Sequence, residues 1–177
     1  VQLFLKIESG NALQFPLVLW EREAFLENDH NEQFVFGMFY GIANNNGRVK
    51  KDEVFRILDF AYNNGINTID TAKVYGSSEE TIGYFLKNRH HQNWSIITKV
   101  NNKENSINNQ LNDTIFKLSA TPEVVLAHSV ADYLDPVFCN KLHRLKENNG
   151  VKKVGVSLYT SDEVHKVLSC KCPDIIQ

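Results

Sequence analysis

The chain has 177 residues, 42% of them hydrophobic and 23% charged, and a formal net charge of -2; these values suit one domain with a sizeable core. No basic run offers a footprint for nucleic acid or an anionic membrane, and no apolar stretch approaches the roughly 18 residues of a membrane span. Three cysteines argue against a disulfide framework, and the opening residues lack the basic-then-apolar pattern of a secretory signal, so the expected location is cytoplasmic.

Residues 1–33 stand outside the pattern that follows. Within them, Val1 to Ile7 alternates weakly like a strand, Glu8 to Asn11 reads as a turn and Trp20 to Leu26 as a short helix. This segment is read as a cap, a linker or a remnant of an upstream domain. From Phe34 to Gln177 strands and helices alternate. Strand 1 is read at Phe34–Tyr40. Asp52 is a candidate N-cap, and Val54, Ile57, Leu58 and Ala61 follow at helical spacing until Asn64-Gly65 stops the helix. Strand 2 is Ile66–Asp70. Ser77 with Glu80 is read as a capping box for a helix over 79–88, and His90-His91 as a solvated loop. Strand 3 is Trp94–Val100, and the next helix carries Ile107, Leu111, Ile115 and Leu118. Strand 4 is Glu123–His128, followed by a helix with Phe138, Leu142 and Leu145 that closes at Asn148-Asn149-Gly150. Strand 5 is Lys153–Ser157. Ser161 or Asp162 is expected to cap a helix with Val164, Val167 and Leu168, and Asp174–Gln177 begins strand 6.

Four polar residues close these strands on one 29-residue beat: Asp70, Lys99, His128 and Ser157. One beat before Asp70 lies Gly41. A strand and its crossover helix take about 30 residues, so the beat is one βα unit repeated. The fold class expected is therefore α/β, a (β/α)8 TIM-type barrel with about five and a half βα units present. The polar residues then fall at the carboxyl ends of parallel strands, where such barrels build active sites. Singly, Asp70 could be a helix cap, Lys99 a solvated rim charge, His128 a satisfied core histidine and the nearby Tyr75 a half-buried loop aromatic. Together on one beat they point to chemistry. Cys170 and Cys172 with nearby His165 lack a fourth ligand, so no metal site is expected. Gly37, Gly41 and Gly47 do not form G-x-G-x-x-G.

The segment from Gly65 to Glu80, with Asp70-Thr71-Ala72 and Tyr75-Gly76 at its centre, resembles the aldo-keto reductase superfamily. The resemblance continues through Ile97-Thr98-Lys99, Leu126-Ala127-His128-Ser129, Gly155-Val156-Ser157-Leu158-Tyr159 and Asp174-Ile175-Ile176-Gln177. Phe36–Asn44 looks like a bacterial branch often associated with sugar modification. The resemblance implies a catalytic tetrad of Asp70, Tyr75, Lys99 and His128, and contacts from Ser157 and Gln177 to a nicotinamide carboxamide. It implies NADPH, with NADH also open, and direct hydride transfer to an aldehyde or ketone, a sugar-like carbonyl among the candidates. Leu158 stands where many relatives have Asn.

Elementary chemistry agrees with these roles. Carbonyl reduction needs a proton for oxygen, and a tyrosine with an ordinary pKa of about 10 becomes a competent donor beside an ammonium. Lys99 is the candidate cation, Asp70 its partner, and His128 the group that places the carbonyl. Phe39, Tyr40, Ile42 and Tyr133 are expected to line the substrate pocket. In that family the phosphate-binding groups follow strands 7 and 8, beyond Gln177. The expectation is thus a truncated, C-terminally incomplete barrel, whose exposed strand edges favour association into a homo-oligomer. The alternative is a non-catalytic regulatory subunit of this type, or an inactive truncated remnant.

Overall fold

The computed structural model describes residues 33–35, 51–103, 106–148, 150–169 and 173–177. Readings that fall on 1–32 and 36–50 lie outside the described residues. They include the Val1–Ile7 strand, the Trp20–Leu26 helix, most of strand 1, and Phe39, Tyr40, Gly41 and Ile42. Cys170 and Cys172 do so too.

Among the described residues twelve elements follow one another: β1 (Gln33–Val35), α1 (Lys51–Asn63), β2 (Ile66–Asp70), α2 (Ser78–Asn88), β3 (Ser95–Val100), α3 (Ile107–Leu118), β4 (Val124–Ala127), α4 (Val130–Leu134), α5 (Pro136–Asn148), β5 (Lys153–Val156), α6 (Ser161–Leu168) and β6 (Ile175–Ile176). The strands form one parallel sheet in sequence order, β1 to β6. Parallel neighbours with a helix between each pair are what repeated βα units produce, and the result is a half-barrel of the (β/α)8 kind.

Period-2 alternation sorts the strand residues. Ile69, Ile96, Val100, Val125, Ala127, Val154 and Val156 face the helices and are buried there. One helix-side cluster joins Val54, Leu58 and Ala61 of α1 to Ile82 and Phe85 of α2, with Trp94 and Leu118. A second gathers Ile107 and Leu111 of α3, Tyr133, Phe138, Leu142 and Leu145 around the later strands. On the opposite, inner face Ile97, Val124, Leu126 and Ile175 form a third, smaller cluster. The polar strand-end residues belong to this inner face, above that apolar layer. The core thus lies mostly between sheet and helices, and the inner layer is the floor beneath the site.

Two glycines make close packing possible. A Cβ on Gly83 of α2 would collide with the Lys117 carbonyl oxygen and approach Leu118 of α3. A Cβ on Gly155 of β5 would collide with the Ile175 carbonyl oxygen and meet its side chain at 2.8 Å.

Several local expectations need correction. Ser77 precedes α2, but its side chain makes no capping bond. Glu80 turns instead to Lys117 of α3, 3.2 Å away, so a tertiary ion pair takes the residue the capping box needed. The capping box of α6 is built by Thr160 and Glu163, not by Ser161 or Asp162: Thr160 is extended and accepts from the Glu163 amide, while Glu163 accepts from the Thr160 amide. Asp52 lies inside α1 rather than at its cap. The short α4 is an addition, capped by Ser129, which accepts from the Asp132 amide. Tyr133 sits on α4 and is 1% exposed, packed in the helix-side core with its hydroxyl 3.2 Å from His143 Nε2. It therefore lines no inner-face pocket. His90 and His91 are exposed, as expected of a solvated loop.

Candidate active site

The main-chain ladder sets out the site. Beyond the strand ends the parallel bonding continues by one step: the Thr71 amide donates to the Ile97 carbonyl, His128 to Val100, Ser157 to Ala127 and Gln177 to Val156. Asp70, Lys99, His128, Ser157 and Gln177 therefore stand at the carboxyl ends of β2 to β6.

From β2 to β4 their spacing differs from the pairing register, whereas from β4 to β5 the two are equal, Ala127 pairing with Val156. Asp70 lies opposite Ile97, and Lys99 opposite Leu126; both partners are 27 positions on. Two further residues complete the 29-residue beat. Two residues preserve the face of a strand and advance about 6.6 Å along it. The row thus climbs from Asp70 through Lys99 to His128 in the oblique sense that barrel closure demands, and then runs level to Ser157 and Gln177. Lys99 is long enough to reach back down that step.

It does so to Asp70. Lys99 Nζ donates to the two carboxylate oxygens at 2.6 and 2.7 Å, and to the Thr71 carbonyl at 3.4 Å. Only 3% of either side chain is exposed. Two charges survive burial of this depth when they face each other with good geometry and further hydrogen bonds. Burial pushes the Lys99 ammonium below the usual lysine range, while the Asp70 charge and hydrogen bond oppose that shift; the proton is held by its partner and loosened by its surroundings.

Tyr75 arrives from the turn after β2. The Tyr75 amide donates to the Ala72 carbonyl, the Ser78 amide to the Tyr75 carbonyl, and Gly76 takes φ +64. A left-handed residue there folds the chain back before α2 begins. The turn lays the Tyr75 ring 5.4 Å from Lys99 Nζ, measured to the ring centroid, within cation–π reach. Thr71 Oγ1 and Ser78 Oγ, 3.0 Å apart, close the two ends of the turn on each other.

His128 is half-buried. Burial pushes its imidazolium form below the ordinary histidine range. The Lys99 charge adds to the effect, and Asp132 and Asp70 offset part of it. The ring is thus uncharged at neutral pH, with one N–H to donate, and it feels both members of the ion pair.

Ser157 and Gln177 stand farther along the sheet, 6% and 7% exposed. Main-chain bonds bracket them together: the Leu158 amide donates to the Gln177 carbonyl at 2.7 Å, and the Gln177 amide to the Val156 carbonyl at 3.1 Å. Gln177 Nε2 is buried with no hydrogen-bond partner among the described residues, an arrangement rare enough to need a reason. Among the described residues, no group of three His, Cys, Asp or Glu is placed to hold a metal ion, and no helix is long and apolar enough to cross a membrane.

A buried carboxyl escaped the sequence reading. Glu79, on the first turn of α2, is 1% exposed. It accepts from Thr114 Oγ1 at 2.9 Å and Thr98 Oγ1 at 3.2 Å. Burial pushes its carboxyl above the usual range, against the two hydroxyls and Lys117, with Asp113 adding to the rise. The signal was available: Glu79, Ile82 and Gly83 fall at i, i+3 and i+4, one face of a helix.

A half-barrel of parallel strands carrying a buried Asp–Lys pair, an adjacent tyrosine and a strand-end histidine defines a class. The Aldo/keto reductase family model matches residues 35–176, and the chain belongs to that family. A Pseudomonas aeruginosa protein provisionally assigned as an aldo-keto reductase superposes with TM-score 0.60 at 26% identity, over 70% of this chain and 55% of its own. A Klebsiella pneumoniae aldo-keto reductase, solved in complex with NADPH, superposes with TM-score 0.61 at 15% identity, over 79% of this chain and 49% of its own, a likeness of fold. A Schizosaccharomyces pombe protein provisionally assigned as an aryl-alcohol dehydrogenase is 50% identical over 40 residues, 22% of this chain and 12% of that protein. The chain spans about half the length of these solved structures.

Proposed function

We propose that residues 34–177 carry the carbonyl-reducing part of an aldo-keto reductase, acting on an aldehyde or ketone with NADPH. The observation that carries this reading is the buried Asp70–Lys99 pair with its ammonium against the Tyr75 ring. Tyr75 gives its phenolic proton to the carbonyl oxygen. The Lys99 ammonium stabilises the negative charge left on the phenol, and Asp70 keeps Lys99 charged and aimed. His128, uncharged, donates a ring N–H to the same carbonyl oxygen and fixes its position. Burial of the ion pair makes its field stronger than it would be in water.

The cofactor side is supported by the partnerless Gln177 Nε2 beside buried Ser157. A carboxamide offers the acceptor that this amide lacks, and donors for the serine hydroxyl. When bound, the reduced nicotinamide supplies the hydride that the carbonyl carbon receives. The Klebsiella neighbour, which binds NADPH, agrees with that choice.

The test is a Tyr75→Phe exchange in the intact protein. Removing a general acid should lower kcat by about 10²–10⁴-fold, with NADPH affinity by fluorescence titration unchanged and NADH titrated alongside. Undiminished turnover would remove Tyr75 from the reaction. Absence of binding by either nucleotide would favour a regulatory or inactive relative.

A further inference from the structure

We propose that Glu79 is a positioning residue that sets the approach of Tyr75 to Lys99 by tying the start of α2 to β3. The consequence for turnover rests on the reductase reading; the structural coupling does not. Tyr75 and Lys99 come from different elements, and links at both ends hold the turn of Tyr75 against β3. At its base the Thr71 amide bonds the Ile97 carbonyl. At its far end Ser78 is tied back to Thr71, and the next residue, Glu79, reaches Thr98, the neighbour of Lys99. Thr98 faces the helices while Lys99 faces inward, so Glu79 grips the strand from behind at the point where the ammonium emerges. Thr114 of α3 bonds the same oxygen, Oε1, and holds the carboxyl in line. The other oxygen, Oε2, is buried without a partner among the described residues. An apolar residue would fill this place at lower cost; a carboxyl here makes sense for its directional bonds.

The experiment compares Glu79→Ala, Glu79→Gln, Thr98→Val and Thr114→Val in the intact protein with lysine labelled at Cε. The Lys99 signal is assigned through Lys99→Met, and the ring-current shift that Tyr75 imposes on it through Tyr75→Leu, which removes the ring. Glu79→Ala and Thr98→Val should lose that shift, Thr114→Val should keep it, and Glu79→Gln, which retains Oε1 as an acceptor, should recover most of it. Turnover should follow the same order, kcat falling about tenfold to a hundredfold as expected of sub-ångström to 1 Å misplacement, with the KM for NADPH steady. A shift that survives both Glu79→Ala and Thr98→Val overturns the proposal, as does an equal loss in Thr114→Val. Should Glu79→Ala fail to fold, the two near-isosteric threonine exchanges decide. A parent protein without turnover would sink the reductase reading alone, and the ring-current comparison would still judge Glu79.

Discussion

Asp70 and Lys99 form the most demanding contact in the site, because each is stable only in the company of the other. Asp70→Asn leaves a buried ammonium without its counter-charge and should cost about 3–5 kcal/mol of stability, read as a lower denaturant midpoint at constant slope. Pairing Asp70→Leu with Lys99→Met removes both charges and should recover most of that loss. If the double exchange is as unstable as the single one, packing and not charge is what the pair contributes. His128 permits a pH prediction with a definite sign. Its folded pKa lies below the unfolded value of about 6.5. As pH falls from there, the unfolded chain takes up a proton that the folded chain refuses, so stability is lost down to the folded pKa. His128→Gln should flatten that limb of the stability curve. An identical acid limb in the variant would assign the loss to other groups.

Among the helices and strands, packing and capping decide different things. Gly83 lets α2 lie against the carbonyls at the end of α3, and Gly83→Ala should drive the two helices apart, typically costing about 1–3 kcal/mol for an overpacked contact. Since α2 carries Glu79 and follows the Tyr75 turn, the same exchange should lower kcat. Thr160→Ala removes only a cap and should cost about 1 kcal/mol, without touching the site. Thermal unfolding of both variants beside a turnover assay checks the contrast. These elements also show what local sequence carries. Ile107, Leu111 and Leu118 place α3 correctly because helical spacing of apolar residues needs no knowledge of the partner. The caps of α2 and α6 came out differently because several Ser, Thr and acidic residues adjoin at each helix start. The choice among them depends on backbone angles and on rivals such as Lys117, which draws Glu80 away. Tyr133 was assigned to a loop because five residues of helix between β4 and α5 are too few for a visible period.

At the scale of the whole molecule, the sheet brings one residue from each of β2 to β6 to one rim. Gly155→Ala should displace β6, and with it Gln177, so NADPH affinity should fall more than kcat. Cofactor titration against single-turnover rate tests this; an unchanged affinity would detach Gln177 from the nucleotide. Ligand that binds only the folded state should also raise the unfolding temperature of the parent with increasing concentration, and less so in the variant.

The sequence by itself determined the repeat, the identities of strands 2 to 6 and which residues close them. These follow from local chemistry: a strand alternates, a helix has its own period, and a βα unit has a fixed length. From β2 to β4 the beat of 29 even carried the tilt of the site, as 27 residues of register plus two of stagger, while from β4 to β5 it is register alone; the parts could not be separated without paired strands. Only the tertiary structure decided that Asp70 and Lys99 are bonded rather than merely on neighbouring strands, and that Tyr75 turns back over the ammonium. It also decided that Glu79 is buried while Glu80 is not. Those outcomes depend on side-chain reach and on which neighbouring element arrives first, and neither is a property of any stretch of chain read alone.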